Sequence, residues 1–181
     1  IITNQQKRLN KMRTVEFIEK INLNLPKLFH VGNFKTELTL EALIHNEKIM
    51  NEMFLGKKAL ETTAIPFAVH LGNCLIKHIP GAKWVDEEME SPFDLTIVVP
   101  LTYTKDLNSF IKTFPMNRVL KFLNTNREFN LSSFLTSTIF MSNNDLNDPK
   151  FTQKADKDGW CDIGGNSAIR VFQVKKEDLP N

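Results

Sequence analysis

The chain has 181 residues, of which 41% are hydrophobic and 24% charged, and its formal net charge at pH 7 is +2. This is the composition of an ordinary soluble globular protein, and the length is sufficient for one domain with a full core. The small net charge excludes a strong field toward nucleic acid or an acidic membrane. No apolar run reaches the roughly 20 residues that cross a bilayer. We therefore predict neither a nucleic-acid nor a membrane partner.

The cysteine content is low, with only Cys74 and Cys161. Two cysteines are too few for a disulfide framework or a zinc motif, and reduced thiols in a cytosolic protein are the simplest interpretation. A bridge between the two stays open on sequence alone. The chain begins with Ile1 rather than Met, so preceding residues, including a targeting segment, can be missing. Cytoplasmic location is thus the default expectation.

Residues 1–35 are predicted to form a short helix followed by a loop. Helical spacing places four apolar residues on one edge, namely Val15, Ile18, Ile21 and Leu25. The pair Leu25-Pro26 disfavours continuation of the helix. We expect a loop or short edge strand over residues 27–35.

Two further helices are predicted before residue 80. The first is capped by Thr36 or Thr39. The second covers residues 57–79 and should be the central helix, because apolar residues occupy two of its sides. One side comprises Leu60, Ala64, Phe67, Ala68, Leu71 and Leu75, and the other Ile65, Val69 and Ile76. Pro66 should produce a kink or a boundary, and Pro80-Gly81 should end the helix.

After Gly81 the apolar period changes from helical to alternating. We predict a strand over residues 82–85 and a longer one over 93–99, joined as an antiparallel hairpin by an acidic, solvated connector. Later helices are predicted at residues 107–113, capped by Asp106, and from Pro115 and Leu131. Residues 142–148 and 150–159 should be polar and exposed. A second hairpin, residues 160–163 and 167–174, ends the chain.

The most suggestive chemical pattern is His70, Cys74 and His78, spaced four apart along one side of the central helix. With Leu71 at the centre of the apolar face, His78 lies about 20° away, Cys74 about 60° and His70 about 100°. Successive members are about 6 Å apart along the axis. Bonds of about 2.0–2.3 Å cannot bring all three onto one zinc ion. We interpret the trio as core packing, with His78 hydrogen-bonded near the helix end. Two alternatives stay open. Two neighbouring members of the trio could bind a metal ion together with ligands from elsewhere, such as His45, or Cys74 could be a reactive thiol.

Other candidate sites are weaker. The stretch 154–165 has a glycine at the position a calcium loop requires, but Lys154 and Gly165 occupy positions that need oxygen ligands. The acidic connector contains Asp86, Glu87, Glu88 and Glu90, and such a run is usually a solvated tip. We therefore assign no catalytic, cofactor-binding or metal residues and predict no cofactor.

One section resembles a group of small uncharacterised bacterial domains, over about residues 60–141. The shared features are the helix with Leu71-Gly72 and Leu75, the segment Gly81–Val85, the strand Phe93–Val99 and the segment Phe114–Val119 with its following helix. The resemblance implies a helix–hairpin–helix α+β domain and no reaction. Within it, Gly72 can let another element approach the helix closely, and Trp84 should close the strand over that helix.

We predict a single α+β domain over residues 1–181: an N-terminal helix and loop (1–35), a helix–hairpin–helix core (36–141), and a polar loop with a C-terminal hairpin (142–181). An antiparallel sheet of four or more short strands, formed by two hairpins, should pack against several helices. The favoured function is a non-catalytic protein-binding module, of the kind that neutralises a toxin or joins a complex. The alternatives are a small enzyme with a site assembled around His45, His78 or the acidic loop, and a self-associating structural protein.

Overall fold

The computed structural model describes residues 12–54, 61–103, 109–124, 130–146, 148, 160–164 and 167–170. The predicted α+β class is confirmed for this part of the chain. The elements, in chain order, are β1 (Met12–Arg13), α1 (Thr14–Val31), α2 (Leu40–Met53), α3 (Glu61–His78), β2 (Lys83–Trp84), β3 (Glu88–Met89), a 3-10 helix (Pro92–Asp94), β4 (Ile97–Pro100), β5 (Phe110–Thr113), α4 (Pro115–Asn124), α5 (Leu131–Asn143), β6 (Trp160–Gly164) and β7 (Ser167–Arg170).

The described strands form small antiparallel sheets. The largest has the order β2-β4-β5, with Trp84 opposite Ile97 and Ile97 opposite Thr113. Strand β1 pairs with β3, and β6 pairs with β7. Both predicted hairpin pairings therefore occur. The predicted sheet of four or more strands is not confirmed, because the two hairpins do not share a sheet among the described strands.

Helix α3 is the centre of the core, as predicted. Its apolar face is buried, and it packs against α1, α4 and α5. The buried members of that face are Ala64, Phe67, Ala68, Leu71 and Leu75, with Val69 on the other side. Leu60 and residues 57–59 lie outside the described residues. Pro66 lies inside α3, so it is not a boundary.

Gly72 and Trp84 form the close contact that the sequence predicts. A Cβ atom on Gly72 would overlap the Trp84 ring atoms Cη2 and Cζ2. The ring nitrogen Nε1 of Trp84 also donates a hydrogen bond of 3.2 Å to Oδ1 of Asn73. Only a residue without a side chain lets these ring atoms approach this turn of α3 so closely. The Trp84 strand is thereby held against the central helix.

The predicted end of the first helix is wrong. Helix α1 continues through Pro26 to Val31, over residues predicted as loop or edge strand. Leu25 and Phe29 are both buried one turn apart, and the Phe29 ring lies 5.3 Å from that of Phe67 on α3. Burial of these side chains outweighs the hydrogen bond that a proline removes.

The second helix agrees with the prediction, because the Thr39 side chain accepts a hydrogen bond from the Ala42 amide.

Two other segments differ from their predicted structure. The strand expected over residues 93–99 is confined to β4, because Ser91 caps a 3-10 helix at Pro92–Asp94. The helix expected over 107–113 is a strand where it is described, since Phe110–Thr113 pairs with β4. Asp106, its predicted cap, lies outside the described residues. Pairing with β4 makes this segment a strand, and the local sequence propensity does not reveal that partner. The helices from Pro115 and Leu131 are confirmed.

The acidic connector and the start of the polar segment are more structured than predicted. The carboxylate of Asp86 forms an ion pair with the guanidinium of Arg13 at 2.6 Å. The connector also contains strand β3, in which Met89 is buried. Ser142 is fully buried rather than exposed. Its hydroxyl donates to the Pro100 carbonyl at 2.7 Å, so it joins α5 to β4. Residues 150–159 lie outside the described residues.

Candidate functional site

The predicted trio on α3 is divided by the fold. His70 is 2% exposed and Cys74 is fully buried, whereas His78 is exposed. The helical wheel placed His78 nearer the centre of the apolar face than His70, which predicted that His78 would be the more buried of the two. The structure shows the opposite. Helix α1 covers the flank of α3, where Phe29 packs edge-on against His70 at 5.2 Å. His78 lies in the last turn of α3, beyond the core, with its Nε2 3.0 Å from the Leu38 carbonyl oxygen, as expected of a hydrogen bond near the helix end.

His70 and Cys74 are in contact but are not poised for catalysis. The Nε2 and Sγ atoms are 3.9 Å apart. Burial lowers the pKa of His70 to about 4 and raises the pKa of the Cys74 thiol to about 12. At neutral pH both groups are uncharged, whereas a nucleophilic cysteine must be a thiolate. Cys74 is a free thiol that packs as a small hydrophobe, as predicted.

The burial of His70 makes the stability of the protein depend on pH. Its folded-state pKa of about 4 lies below the ordinary value of 6.5, so the unfolded chain binds the proton more readily. The contribution of His70 to stability is present above pH 6.5 and is lost as the pH falls toward 4. We expect the free energy of unfolding to fall more steeply over this window in the wild type than in a His70→Phe variant.

Urea unfolding at several pH values between 7 and 4 measures this difference. Glu47, a buried carboxyl with the opposite dependence, is present in both proteins, so its effect cancels in the comparison. Parallel curves for the two proteins would contradict the assignment of His70 as a buried neutral group.

The other histidine singled out for chemistry, His45, holds a loop. Its Nε2 lies 3.1 Å from the Asn33 carbonyl oxygen, and His78 binds the Leu38 carbonyl of the same loop. Asn46 completes the attachment by bonding both backbone groups of Lys35. The loop between α1 and α2 is thus fixed from α2 and α3. The described residues contain no group of three or more His, Cys, Asp or Glu that could hold a metal ion.

A buried carboxylate that sequence reasoning missed is Glu47, on α2. It is 6% exposed and accepts hydrogen bonds from the Ser132 amide at 2.8 Å and the Ser132 hydroxyl at 2.6 Å. Burial raises the pKa of Glu47, and the bonds from Ser132 oppose this. The carboxylate caps the first turn of α5, whose own N-cap residue, Asn130, makes no side-chain cap bond. Because Glu47 and Ser132 are 85 positions apart, no local motif predicts this role.

A small cavity of about 200 Å³ lies between α1, α3 and the loop between α1 and α2. It is smaller than the roughly 300–1,000 Å³ typical of small-molecule sites. Its amides bond one another, since Asn73 Nδ2 donates to Asn22 Oδ1 at 3.0 Å. We assign no ligand to it.

A second, wider groove lies between β5, α4 and α5, and we call it the β5–α4 groove. Its volume is about 400 Å³, within the range of ligand sites. Its described lining consists of Ile111, Lys112, Thr113, Phe114, Asn117, Arg118, Lys121, Phe134, Thr138 and Met141. Three of these residues are cationic, and none is a carboxylate, a histidine or a cysteine. The groove therefore combines positive charge with aromatic and apolar surface.

Arg118 is the central cation of this groove. Its side chain is half-buried, and its Cζ atom lies 4.5 Å from the centroid of the Phe134 ring. Burial lowers the pKa of Arg118, but a guanidinium remains charged at neutral pH. No carboxylate among the described residues pairs with it. A partly desolvated cation on an aromatic ring favours an incoming anionic group, because desolvation strengthens ionic attraction.

Sequence reasoning did not single out these residues. The sequence carries one signal, which is that Arg118 and Lys121 are three apart and therefore share a helix face beside Phe114. Lys112 joins them only because its segment is a strand rather than the predicted helix.

Comparisons of the chain with protein-family models, with curated proteins and with solved structures gave no match. The resemblance to small bacterial domains therefore stays a prediction. Within the described part of the chain, no helix has both the length and the apolar content needed to span a membrane.

Proposed function

We propose that this chain is a protein-binding module and that the β5–α4 groove is its recognition surface. The observation that carries the proposal is Arg118, a half-buried cation stacked on Phe134 without a described carboxylate partner. Arg and aromatic residues are enriched where proteins bind one another. Phe114 is 42% exposed beside the groove and supplies an apolar anchor point.

A binding role fits the groove better than an enzymatic one. General acid–base catalysis most often uses a histidine or a carboxyl group, and the described lining contains neither. The His70–Cys74 pair is buried away from solvent and uncharged at neutral pH. Toxin neutralisation or membership of a complex would each be a form of this function. Cytoplasmic location remains part of the proposal.

Selection from a random library of displayed short peptides tests the proposal on the full chain. We expect the wild type to enrich peptides whose binding weakens about five-fold in a Lys112→Glu variant, the size of one exposed ionic contact. Lys112 is exposed on β5, so its replacement should leave the core intact.

The matched control is Lys48→Glu, which makes the same charge change on an exposed position of α2 outside the groove. It should leave binding unchanged apart from the small effect of net charge. Failure to enrich any peptide would contradict the proposed function, as would equal losses in the two variants.

A further inference from the structure

The β5–α4 groove runs along an edge of the three-stranded sheet that no other described strand covers, and we call it the open edge. Strand β5 is the last in the order β2-β4-β5 among the described strands. The groove is lined by Ile111, Lys112 and Thr113 in succession. Because successive side chains of a strand point to opposite faces, contact with all three places the groove along the strand edge rather than under one face. The other edge of β5 is occupied by β4.

The register shows which backbone groups face this edge. The Leu101 amide donates to the Ser109 carbonyl at 3.0 Å, so Ser109 directs its backbone toward the β4 side. In an antiparallel pair the direction alternates, so Ile111 and Thr113 also face β4. The amides and carbonyls of Phe110 and Lys112 therefore point away from β4, toward the open edge. An exposed edge of this kind is a template for an added strand.

The charge of the groove selects the kind of strand. Lys112 and Arg118 line it, so an incoming segment with carboxylates gains ionic contacts. A second copy of this chain that added through its own β5 would bring two sets of these cations together. Like charges opposed across strands destabilise the pairing, which disfavours self-association at this edge.

Building on the proposed function, we infer that the partner contributes an extended, acidic segment. This segment adds as a strand to the open edge of β5 and places a carboxylate against Arg118. The Phe110 and Lys112 backbone groups supply the hydrogen bonds, and the cations of the groove select acidic side chains.

Two variants at position 112 distinguish the contribution of the backbone hydrogen bonds to peptide binding from the contribution of the charge. Lys112→Ala and Lys112→Pro both remove the cation, but only proline removes the outward-facing amide. Proline is tolerated on an edge strand where its nitrogen faces away from the neighbour. With peptides enriched by the wild type, we expect Lys112→Pro to bind about ten-fold more weakly than Lys112→Ala, because a partner carbonyl is left unsatisfied.

Hydrogen exchange on the unmutated protein gives an independent measurement. In the free chain the amides of Phe110 and Lys112 should exchange faster than those of Ile111 and Thr113. A saturating enriched peptide should protect the first pair. Peptides that bind without protecting these amides, or that bind the two Lys112 variants equally, would overturn strand addition while leaving the proposed function intact.

The remaining outcomes also decide the inference. Enrichment of peptides without acidic residues would overturn the assignment of the partner's charge. A free chain that dimerises on sedimentation, and loses the dimer in Lys112→Pro, would assign the edge to a second copy instead. Tighter binding of an oligothymidine than of any enriched peptide would assign the groove to nucleic acid. Failure of the selection itself would overturn the proposed function and this inference together.

Discussion

Replacing Gly72 with alanine is expected to lower the free energy of unfolding by about 2–3 kcal/mol, a typical cost of overpacking a core. The added methyl group would overlap the Trp84 ring, which must then leave α3 and give up its hydrogen bond to Asn73. On helix propensity alone the substitution should stabilise the protein by about 1 kcal/mol. The sign of the measured change therefore shows whether the ring contact dominates. Urea unfolding followed by circular dichroism gives the value.

A Trp84→Ala background provides the decisive control for this prediction. Without the ring, Gly72→Ala meets mainly the flexible end of the Ile97 side chain, at 2.9 Å, and should become neutral or stabilising. Gly81→Ala serves as a comparison, because Gly81 has φ of 81° and its substitution costs about 1–2 kcal/mol through backbone strain. Its added Cβ would also lie 3.2 Å from Cγ of Pro100, a contact that does not involve Trp84. If Gly72→Ala destabilises equally with and without Trp84, the close contact is not the cause.

Leu71→Ala is expected to cost about 4 kcal/mol, within the range measured for buried leucines replaced by alanine. Leu71 is fully buried at the centre of the apolar face of α3, where the helix meets its packed neighbours. Removing its side chain leaves a cavity that a helix packed on several sides cannot close. Chemical denaturation of the variant measures the loss.

The matched control for Leu71 is Leu23→Ala on α1. Leu23 is 78% exposed, so its truncation should change stability by less than about 0.5 kcal/mol. An unfolding midpoint for Leu71→Ala close to that of the wild type would mean that α3 is not the centre of the core.

Helical periodicity predicted the helices well because long apolar faces leave a strong local signal. The burial of Leu71 and Leu75 follows from spacing alone. The contact between Gly72 and Trp84 was also predictable, since a glycine inside a buried helix indicates a close neighbour. Pro26 misled the prediction because the penalty of a proline is local, while the burial of Phe29 that offsets it depends on distant residues.

The candidate site was less predictable because it depends on strand pairing. Four residues, Phe110–Thr113, carry too little pattern to distinguish strand from helix, and their pairing with β4 decides the outcome. Arg118 and Lys121 were visible as one helix face, but their connection to Lys112 follows from tertiary structure. The relative burial of His70 and His78 was predicted wrongly for a related reason. A wheel does not show which flank a neighbouring helix covers.

The capping of α5 by Glu47 limits how this chain can be divided. The helix makes no side-chain cap bond of its own, and its first turn is completed by a carboxylate from 85 positions upstream. A fragment that starts after α2 would leave the Ser132 amide without this acceptor and would expose the sites on α5 that α2 covers. We therefore expect a fragment that separates α2 from α5 to be less stable than one that contains both helices.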